Sequence, residues 1–445
     1  MSCFFLPLDS VVDKLRRARC LSNAVLAQKI TTLIETTAGN HTDDNRTVDV
    51  KRHKLICVAG ARPNFMKVAP LLRLLRCDDN FTTVFVHTGQ HYDDKLSGHF
   101  FHDLGLPTPD HHLDVRSGTH AQQTAEIMTR FEPVVTSEQA DGVAVVGDVN
   151  STMAAAVVAA KLHVPVFHIE AGLRSFDKSM PEEINRLITD AISDVLLVSE
   201  ESGRRNLLGE GIPDHRIHMV GNLMIDSLRY SLAAARKSDI LRRLGIDGQP
   251  FALATLHRPG NVDHPEQLDQ ILGAFREISK SIPVIFPVHP RTRVHLDQFC
   301  FAASGSITLL EPLGYLDFLC LMANSSAVFT DSGGIQEETT ALGVPCLTLR
   351  ENSERPVTIE EGTNILAGTC RSTILEAWNK MRVRPKTGRI PHLWDGAAAE
   401  RCLTVFRNYF IAGSQRPEDL RRSLPEYNAP TPRGTRTFTQ LGPGY

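Results

Sequence analysis

The feature that most constrains the fold of this sequence is a regular alternation of short apolar runs, rich in β-branched residues, with segments of helical periodicity. Uninterrupted apolar runs are typical of strands that are buried on both faces. When such strands alternate with helices, the strands pair in parallel and the helices cover the sheet. The sequence therefore predicts an α/β fold. The predicted strands are residues 55–59, 83–88, 143–147, 165–169, 194–199, 217–220, 251–256, 283–288, 307–310, 327–330, 345–349 and 364–367.

Twelve strands exceed what one doubly wound sheet comfortably holds, so we expect two Rossmann-like parallel-sheet domains that face each other across a cleft. Their predicted ranges are 53–225 and 226–375, and closing helices are expected at 376–412. Residues 1–52 are predicted to be a partly helical extension, and the Pro-rich segment 413–445 a flexible tail. Helices are predicted at 67–76, 151–162, 182–191, 266–280, 314–323 and 334–342, and the segment 375–411 also has a helical pattern.

Composition excludes several classes of protein. The 445 residues include 48 Lys and Arg against 51 Asp and Glu, a formal net charge of −3, which argues against a broadly basic nucleic-acid-binding protein. No apolar run approaches the roughly 18 residues that a membrane-spanning helix needs. The nine cysteines are scattered and form no C-x-x-C pair, so a disulfide framework is not expected. We expect a cytoplasmic protein that neither binds nucleic acid nor inserts into a membrane.

Histidines are dense between residues 87 and 120, which raises the question of a metal site. Their spacing matches neither H-E-x-x-H nor a zinc-finger pattern, and the nearby acidic residues are not arranged as ligands. The sequence also lacks the G-x-G-x-x-G fingerprint of dinucleotide binding. We therefore predict no metal and no redox cofactor.

Polar and charged residues follow the predicted strands at their carboxyl ends, where doubly wound sheets bind ligands. Two facing domains would bring all of these residues to one cleft. They are Arg62, Lys67, Asp148 and Glu170 in the first half, and His257, Arg258, His289, Arg291, Asp331 and Ser332–Gly334 in the second.

The turn Ser332-Gly333-Gly334 connects a predicted strand to a helix. Glycines let the backbone approach an oxyanion closely, and a helix N-terminus offers free N–H groups and the positive end of its dipole. Glu337 and Glu338, about one turn further on, are placed to accept hydrogen bonds from ribose hydroxyls. The turn predicts a phosphate site, although a plain turn followed by an acidic first helical turn explains the same residues.

Cations from both halves would converge on such a phosphate. Arg62 and Lys67 begin the first strand–helix unit, and His257 and Arg258 hold the matching position in the second half. Charge-assisted hydrogen bonds to a diphosphate are worth roughly 1.5–3 kcal/mol each. The alternative is that these side chains are solvated at the surface.

Carboxylates are the acidic counterpart of these cations. Asp148 and Glu170 end strands, and Glu182 and Glu183 open a helix after Pro181. Carboxylates that share a cleft can have their pKa values moved apart, so that one acts as an acid and another as a base. For Glu182 and Glu183, favourable interaction with the helix dipole is the simpler explanation.

Taken together, these motifs resemble the non-hydrolysing UDP-N-acetylglucosamine 2-epimerases over about residues 54–411. Each motif alone is weakly specific, but several long ones in one order are very specific. The matching segments are GARPNFMKVAP (60–70), HTGQHYD (87–93), VGDVNST (146–152), HIEAGLRS (168–175), MPEEINR (180–186), TDSGGIQEE (330–338), RENSERP (350–356) and EGTN (361–364).

The resemblance implies a glycosyltransferase-B type fold, a homodimer, and interconversion of UDP-N-acetylglucosamine and UDP-N-acetylmannosamine, which supplies precursor for cell-surface polysaccharide. The implied route eliminates UDP to leave 2-acetamidoglucal and then adds UDP back after protonation of the other face. The resemblance also assigns roles to residues of this sequence. They are Asp148, Glu170 and Glu182 as catalytic carboxylates, His257 facing the phosphates or the leaving group, Arg62, Lys67 and Arg258 near the diphosphate, Ser332, Gly333 and Gly334 as a phosphate cradle, and Glu338 on the ribose.

Other interpretations stay open at this point. They are the same chemistry on a modified UDP-sugar such as a 3-acetamido uronic acid, a hydrolysing epimerase that releases UDP, a glycosyltransferase, and a non-catalytic nucleotide-sugar-binding regulator. The sequence also departs from the family pattern after His257-Arg258, where Pro259-Gly260 stands in place of the Arg-Glu or Glu-Glu often found there. Gln90 fits the surface on which many bacterial members bind an activating second substrate, whereas Asp93 replaces a glutamine common there.

Overall fold

The computed structural model describes residues 52–89, 103–298 and 306–411. Contacts divide the chain into two units, 1–50 and 51–445, and every described residue belongs to the second. The predicted extension, apart from Arg52, and the predicted Pro-rich tail lie outside the described residues, as does Gln90.

Seven parallel strands form the first sheet. They are β1 (His53–Ala59), β2 (Phe81–His87), β3 (His111–His112), β4 (Gly142–Val146), β5 (Val166–Ile169), β6 (Val195–Val198) and β7 (Ile217–Met219). Their order across the sheet is β3-β2-β1-β4-β5-β6-β7. The helices of this half are α1 (Arg62–Arg76), α2 (His120–Glu138), α3 (Asn150–Lys161), α4 (Pro181–Ile192) and α5 (Glu201–Gly209), with a 3₁₀ turn at Asp214–Arg216.

Six parallel strands form the second sheet. They are β8 (Ala252–Thr255), β9 (Val284–Pro287), β10 (Ile307–Leu310), β11 (Ala327–Thr330), β12 (Cys346–Thr348) and β13 (Asn364–Leu366), in the order β10-β9-β8-β11-β12-β13. The remaining helices are α6 (Leu223–Ala235), α7 (Ile240–Arg243), α8 (Pro259–Val262), α9 (Pro265–Ile278), α10 (Pro290–Gln298), α11 (Tyr315–Asn324), α12 (Gly333–Leu342), α13 (Pro356–Glu360), α14 (Arg371–Val383) and α15 (Ala398–Phe410).

Both sheets reverse their strand order at one point, and these points locate the ligand-binding crevices. In the first sheet β1 pairs with β2 on one side and with β4 on the other. In the second sheet β8 lies between β9 and β11. Because ligands of open α/β sheets bind beyond the carboxyl ends of the strands at such reversals, each half presents one binding edge.

The two halves share a core. One continuous apolar cluster includes Leu55 of β1 and Val328 of β11. Helix α6 packs against α1 in the first half and against α11 and α12 in the second. The chain then returns to the first half at its end, since α15 packs on α1 and the Asp226 carboxylate of α6 accepts hydrogen bonds from the backbone N–H groups of Ala398 (3.2 Å) and Ala399 (2.8 Å).

The predicted fold class is confirmed, and all twelve predicted strands are present. The sequence analysis missed β3 and the helices α2, α5, α6, α7, α8, α10 and α13, and the pattern at 375–411 is two helices, α14 and α15. Helix α1 begins at Arg62 rather than residue 67, because Asn64 accepts a hydrogen bond from the Ala61 N–H (3.0 Å) and so stabilises an earlier first turn. Among the described residues, no helix is long and apolar enough to cross a membrane.

Candidate active site

The carboxyl ends of β1, β4 and β5 bring Lys67 and Glu170 into direct contact. The Lys67 Nζ donates a short hydrogen bond to Glu170 Oε2, and both side chains are buried. Glu170 follows β5 with a φ of +69°, a conformation that a residue with a side chain rarely adopts. This backbone turns the carboxylate towards α1, which supplies the lysine.

Gly147 lies next to this ion pair. It follows β4 with a φ of +71°, and a Cβ there would lie 3.6 Å from both the Glu170 Oε2 and the Lys67 Nζ, and 3.1 Å from the Asn64 amide nitrogen. A side chain at this position would therefore be strained in its backbone and would crowd the Asn64 amide, while it would touch the ion pair at an ordinary contact distance. The next residue along the chain is Asp148.

Asp148 belongs to a second ion-pair network, with α4. The Arg186 guanidinium donates to Asp148 Oδ2 (2.5 Å) and to Glu183 Oε2 (2.6 Å). Asn185 donates to the Asp148 carbonyl (2.8 Å), so two side chains of one helix hold this strand end. The Asp148 side chain remains 33% exposed, whereas Arg186 and Glu183 are buried.

Glu182 and Glu183 have different environments, although they are neighbours. Glu183 accepts hydrogen bonds from the backbone N–H groups of Ser175 and Phe176, both at 3.0 Å, and so closes the loop that precedes α4. Glu182 is half-buried, and within the described part of the chain its side chain forms no hydrogen bond or ion pair. Glu182 is thus the carboxylate that remains available to a ligand.

Buried groups behind the strand ends fix the positions of Gly147 and Glu170. The His168 ring lies between the Asp190 carboxylate (Nδ1–Oδ1, 2.6 Å) and the Gly147 carbonyl (Nε2–O, 2.9 Å). Asp190 also accepts from Arg174 (2.7 Å). These contacts join β5, α4 and the end of β4, so the carboxylates have little freedom to move.

In the second half, Asp331 organises the loop that carries His257 and Arg258. Its buried carboxylate accepts from the backbone N–H groups of His257 (3.1 Å) and Arg258 (2.9 Å), and from the Asn261 amide (3.1 Å). The His257 Nδ1 lies 3.0 Å from Asp331 Oδ1, and the imidazole is 38% exposed. Burial opposes ionisation of Asp331, but these bonds outweigh it and lower its pKa.

Glu354 forms ion pairs with two arginines of the second half. It accepts from Arg258 (3.0 Å) and from Arg350 (2.6 Å). Burial would raise the pKa of Glu354, but the two guanidinium groups outweigh that effect and lower it to about 2. A Cβ at Gly333 would lie only 2.9 Å from Glu354 Oε1, so a glycine is needed where the carboxylate passes the turn.

The predicted phosphate turn is the N-terminus of α12. Ser332 precedes the helix and makes no side-chain capping bond, and Gly333 and Gly334 form its first turn. The first N–H groups of a helix have no partner within the helix, so they are free for an anion. Glu338 lies further along α12, is buried, and accepts a hydrogen bond from the Tyr315 hydroxyl (2.8 Å).

Arg355 connects the two halves, and the sequence analysis gave it no role. Its guanidinium donates a short hydrogen bond to Glu170 Oε1 of the first half. Its Nε lies 2.8 Å from Glu337 Oε1 of the second half, and Glu337 also accepts from Asn222 (2.9 Å). Burial alone would raise the pKa of Glu170, but Lys67 and Arg355 lower it overall, so Glu170 is ionised.

Glu200 was also missed. It follows β6, is buried, and accepts a short hydrogen bond from the Ser202 hydroxyl, while its Oε2 has no partner among the described residues. Burial raises the pKa of Glu200 to about 7. The strand-end rule that identified Asp148 and Glu170 applies equally to Glu200 and would have found it.

The structure thus brings some of the predicted residues together and separates others. Lys67 and Glu170 form an ion pair, whereas Arg258 pairs with Glu354 of its own half. Arg62 is the first residue of α1. In the histidine-rich segment, the Nδ1 atoms of His87 and His112 lie 3.2 Å apart, and within the described ranges no group of three or more metal-ligating side chains occurs.

Comparison with known proteins decides the family. A family profile described as UDP-N-acetylglucosamine 2-epimerase matches residues 73–407. The chain is 41% identical over 362 residues to the UDP-N-acetylglucosamine 2-epimerase of Methanocaldococcus jannaschii, covering 79% of this chain and 98% of the relative. The chain belongs to the UDP-N-acetylglucosamine 2-epimerase family.

Two further relatives of this epimerase family inform the site. A crystal structure of the M. jannaschii enzyme in complex with UDP-GlcNAc and UDP matches with a TM-score of 0.74 at 40% identity, over 79% of this chain and 99% of that one. The UDP-2,3-diacetamido-2,3-dideoxy-D-glucuronate 2-epimerase of Pseudomonas aeruginosa is 40% identical over 327 residues, covering 73% of this chain and 91% of the relative.

Proposed function

We propose that this protein epimerises C2 of UDP-N-acetylglucosamine to give UDP-N-acetylmannosamine, without net release of UDP. The observation that carries the proposal is the meeting of Lys67, Glu170 and Arg355 between the two halves. These buried charges lie where a strand-end crevice is expected to bind a ligand. Membership of the family supports the choice of a UDP-sugar.

The chemistry explains why both charges and a cradle are needed. C2 of this sugar bears an acetamido group and has no adjacent carbonyl, so removal of its proton yields no stabilised enolate. In the proposed reaction a base takes the C2 proton while the C1–O bond to the diphosphate breaks, and the electron pair of the C2–H bond forms the C1–C2 double bond of 2-acetamidoglucal. Return of UDP to C1, with a proton added to the other face of C2, gives the epimer.

Proton transfer requires one group on each face of the sugar ring. Glu170 is bound by two cations and is therefore a poor proton acceptor, but as an ionised carboxylate it stabilises the positive charge that develops at C1. We assign proton transfer to Asp148, which is partly exposed, and to Glu182, which has no partner in the described ranges.

The second half supplies the nucleotide site in this proposal. Ser332, Gly333 and Gly334 bind the diphosphate through the N-terminus of α12, and Glu338 accepts from the ribose. Lys67, Arg62, Arg258 and His257 stabilise the negative charge that accumulates on UDP as the C1–O bond breaks. Donors that bind departing UDP better than its sugar ester lower the barrier selectively.

Proton NMR of the full-length protein with UDP-N-acetylglucosamine in heavy water tests the proposal. We expect deuterium to appear at C2, the epimer to accumulate, and free UDP to stay at a trace level. Recovery of the sugar nucleotide without label after long incubation would refute the epimerase. Accumulation of stoichiometric UDP with free N-acetylmannosamine would instead identify a hydrolysing epimerase.

A second candidate substrate is a 2,3-diacetamido uronic acid linked to UDP. The 40% identity to the P. aeruginosa enzyme favours this candidate, because it nearly equals the identity to the M. jannaschii enzyme. Parallel exchange assays with both sugar nucleotides decide between them through the ratio of kcat/KM. The mechanism and the roles of the residues are the same in either case.

We further propose that the enzyme is a cytoplasmic homodimer. Ile184 and Ile188 lie one helical turn apart on α4 and are 41% and 37% exposed, so they offer an apolar surface to a second copy. Light scattering coupled to size-exclusion chromatography tests the oligomeric state. A monomer at micromolar concentration would contradict this part of the proposal.

A further inference from the structure

Tyr315 and Glu338 form a buried pair beside the proposed nucleotide site. Tyr315 is the first residue of α11, and its hydroxyl donates to Glu338 Oε1 of α12 at 2.8 Å. The two residues are 7% and 4% exposed. A buried carboxylate that accepts from a buried hydroxyl is held in one orientation, since both groups lose their solvation if they separate.

The second carboxylate oxygen of Glu338, Oε2, differs from Oε1 in its hydrogen bonding. Within the described part of the chain, no donor bonds to Oε2. Glu338 lies five residues after Gly333, which is roughly one and a half helical turns. In the proposed function the diphosphate binds at this turn and the ribose contacts Glu338, so Oε2 is the oxygen that is open to a ribose hydroxyl.

We infer that Tyr315 is a positioning residue that holds Glu338 to accept the ribose 2′-hydroxyl, and that the pair makes the site selective for ribonucleotides over 2′-deoxyribonucleotides. This inference rests on the proposed function, because it takes the nucleotide of the substrate as its ligand. The torsion that orients a carboxylate has broad minima, so a fixed donor on one oxygen is needed to aim the other.

The chemistry of the pair gives the direction of selectivity. Burial raises the pKa of Glu338 to about 7, so above this pH the side chain is a carboxylate that accepts hydrogen bonds and donates none. It then accepts a bond from a sugar hydroxyl and gains nothing from a hydrogen at the same carbon. Removal of the tyrosine hydroxyl leaves Oε1 without its donor. The carboxylate is then free to turn away or to hold a proton, and either change weakens its bond to the 2′-hydroxyl.

Calorimetric titration with UDP and with 2′-deoxy-UDP tests the inference without depending on turnover. For the wild-type full-length protein we expect UDP to bind about 10- to 100-fold more tightly, as for the loss of one hydrogen bond to a charged group. Tyr315→Phe should weaken UDP about five- to tenfold and leave 2′-deoxy-UDP almost unchanged. Glu338→Gln should reduce the preference in the same way.

Kinetics and a matched control separate positioning from general support of the fold. Tyr315→Phe should raise KM for UDP-N-acetylglucosamine with kcat within about twofold, since the uridine ribose takes no part in bond breaking. Tyr230→Phe, at a half-exposed tyrosine stacked with Arg73, should change neither ligand affinity nor KM. Thermal unfolding of each variant verifies that it folds.

Three outcomes would overturn the inference. They are a wild-type protein that binds both nucleotides equally, a Tyr315→Phe variant that retains the full preference, and a variant that loses affinity equally for both. Failure of the proposed function looks different. A ribonucleotide preference that depends on Tyr315 without any exchange at C2 would support the inference and contradict the epimerase.

Discussion

The two halves of this protein have the same type of sheet but use its carboxyl edge differently. In the first half the edge bears side-chain charges, paired as Lys67 with Glu170 and as Arg186 with Asp148. In the second half the principal carboxylate, Asp331, bonds mainly to backbone N–H groups and shapes a loop. In the proposed function the first half moves protons and the second binds an anion, so the two roles should be separable by mutation.

The largest expected effect comes from removing a proposed proton-transfer carboxylate of the first half. Asp148→Asn keeps an oxygen that can accept from Arg186 but cannot transfer a proton as the carboxylate does. We expect kcat for C2 exchange to fall about 10²–10⁴-fold, the usual contribution of general acid–base catalysis, with UDP affinity within about twofold. A variant that retains more than a tenth of wild-type exchange would remove Asp148 from the mechanism.

The next effect concerns Arg355, which joins the two regions. Arg355→Met leaves Glu170 and Glu337 buried without their shared partner, and breaking a buried ion pair in this way costs about 3–5 kcal/mol. Urea denaturation should show this loss in the free energy of unfolding. Arg389→Met is the control, because the Arg389–Glu361 pair is largely exposed and should contribute less than about 1 kcal/mol. Equal losses of unfolding free energy in the two variants would argue against a stabilising contact of Arg355 with Glu170 and Glu337.

Glu200 sharpens the comparison, because it is a strand-end carboxylate of the first half whose pKa is raised by burial. Its pKa is about 7 in the folded protein against about 4.5 in the unfolded chain. The unfolded state therefore loses this proton first, and the stability that the proton confers is present below pH 4.5 and lost as the pH rises to 7. Glu200→Gln should flatten this part of the stability profile and be more stable than wild type at pH 8 by about 2–3 kcal/mol.

Urea denaturation at pH 5, 6, 7 and 8 measures this effect. Glu201→Gln provides the control, since the neighbouring Glu201 side chain is 58% exposed. We expect its profile to run parallel to that of the wild type. Parallel profiles for Glu200→Gln as well would show that Glu200 is ionised in the folded state.

The smallest expected effect comes from substituting the glycines of the predicted phosphate turn in the second half. Gly333→Ala places a Cβ 2.9 Å from Glu354 Oε1, whereas Gly334→Ala meets only the Met224 methyl carbon at 3.4 Å. We expect Gly333→Ala to weaken UDP about tenfold and Gly334→Ala less than threefold, with kcat at saturating substrate retained in both. Titration with UDP and the exchange assay measure the two quantities. An inverted order would place the phosphate nearer to Gly334.

Much of the site could be predicted because strand periodicity and the strand-end rule are local properties of the sequence. They placed Lys67, Asp148 and Glu170 at one edge, and the structure joins Lys67 to Glu170 there. The same rule covers Glu200. The order of the strands in each sheet, with reversals at β1/β4 and β8/β11, was not predicted and comes from the structure.

Other features depend on distances that no local pattern records. The contact of Arg355 with Glu170 spans 185 positions and exists only because the two sheets face each other in one particular way. The bond from Tyr315 to Glu338 depends on how α11 packs against α12. Helix α2 was missed because its start lies in a histidine-rich segment and Pro133 lies within it, although Thr119 and Gln122 form a capping box there.

The return of the chain through α15 has a mechanical consequence. The halves are connected covalently at two places, before β8 and before α15, and α6 contacts both halves. Two tethers restrict relative movement to rotation about the line that joins them, and they oppose sliding or complete separation. In the proposed reaction this restriction favours retention of detached UDP beside the glucal intermediate until the two are rejoined.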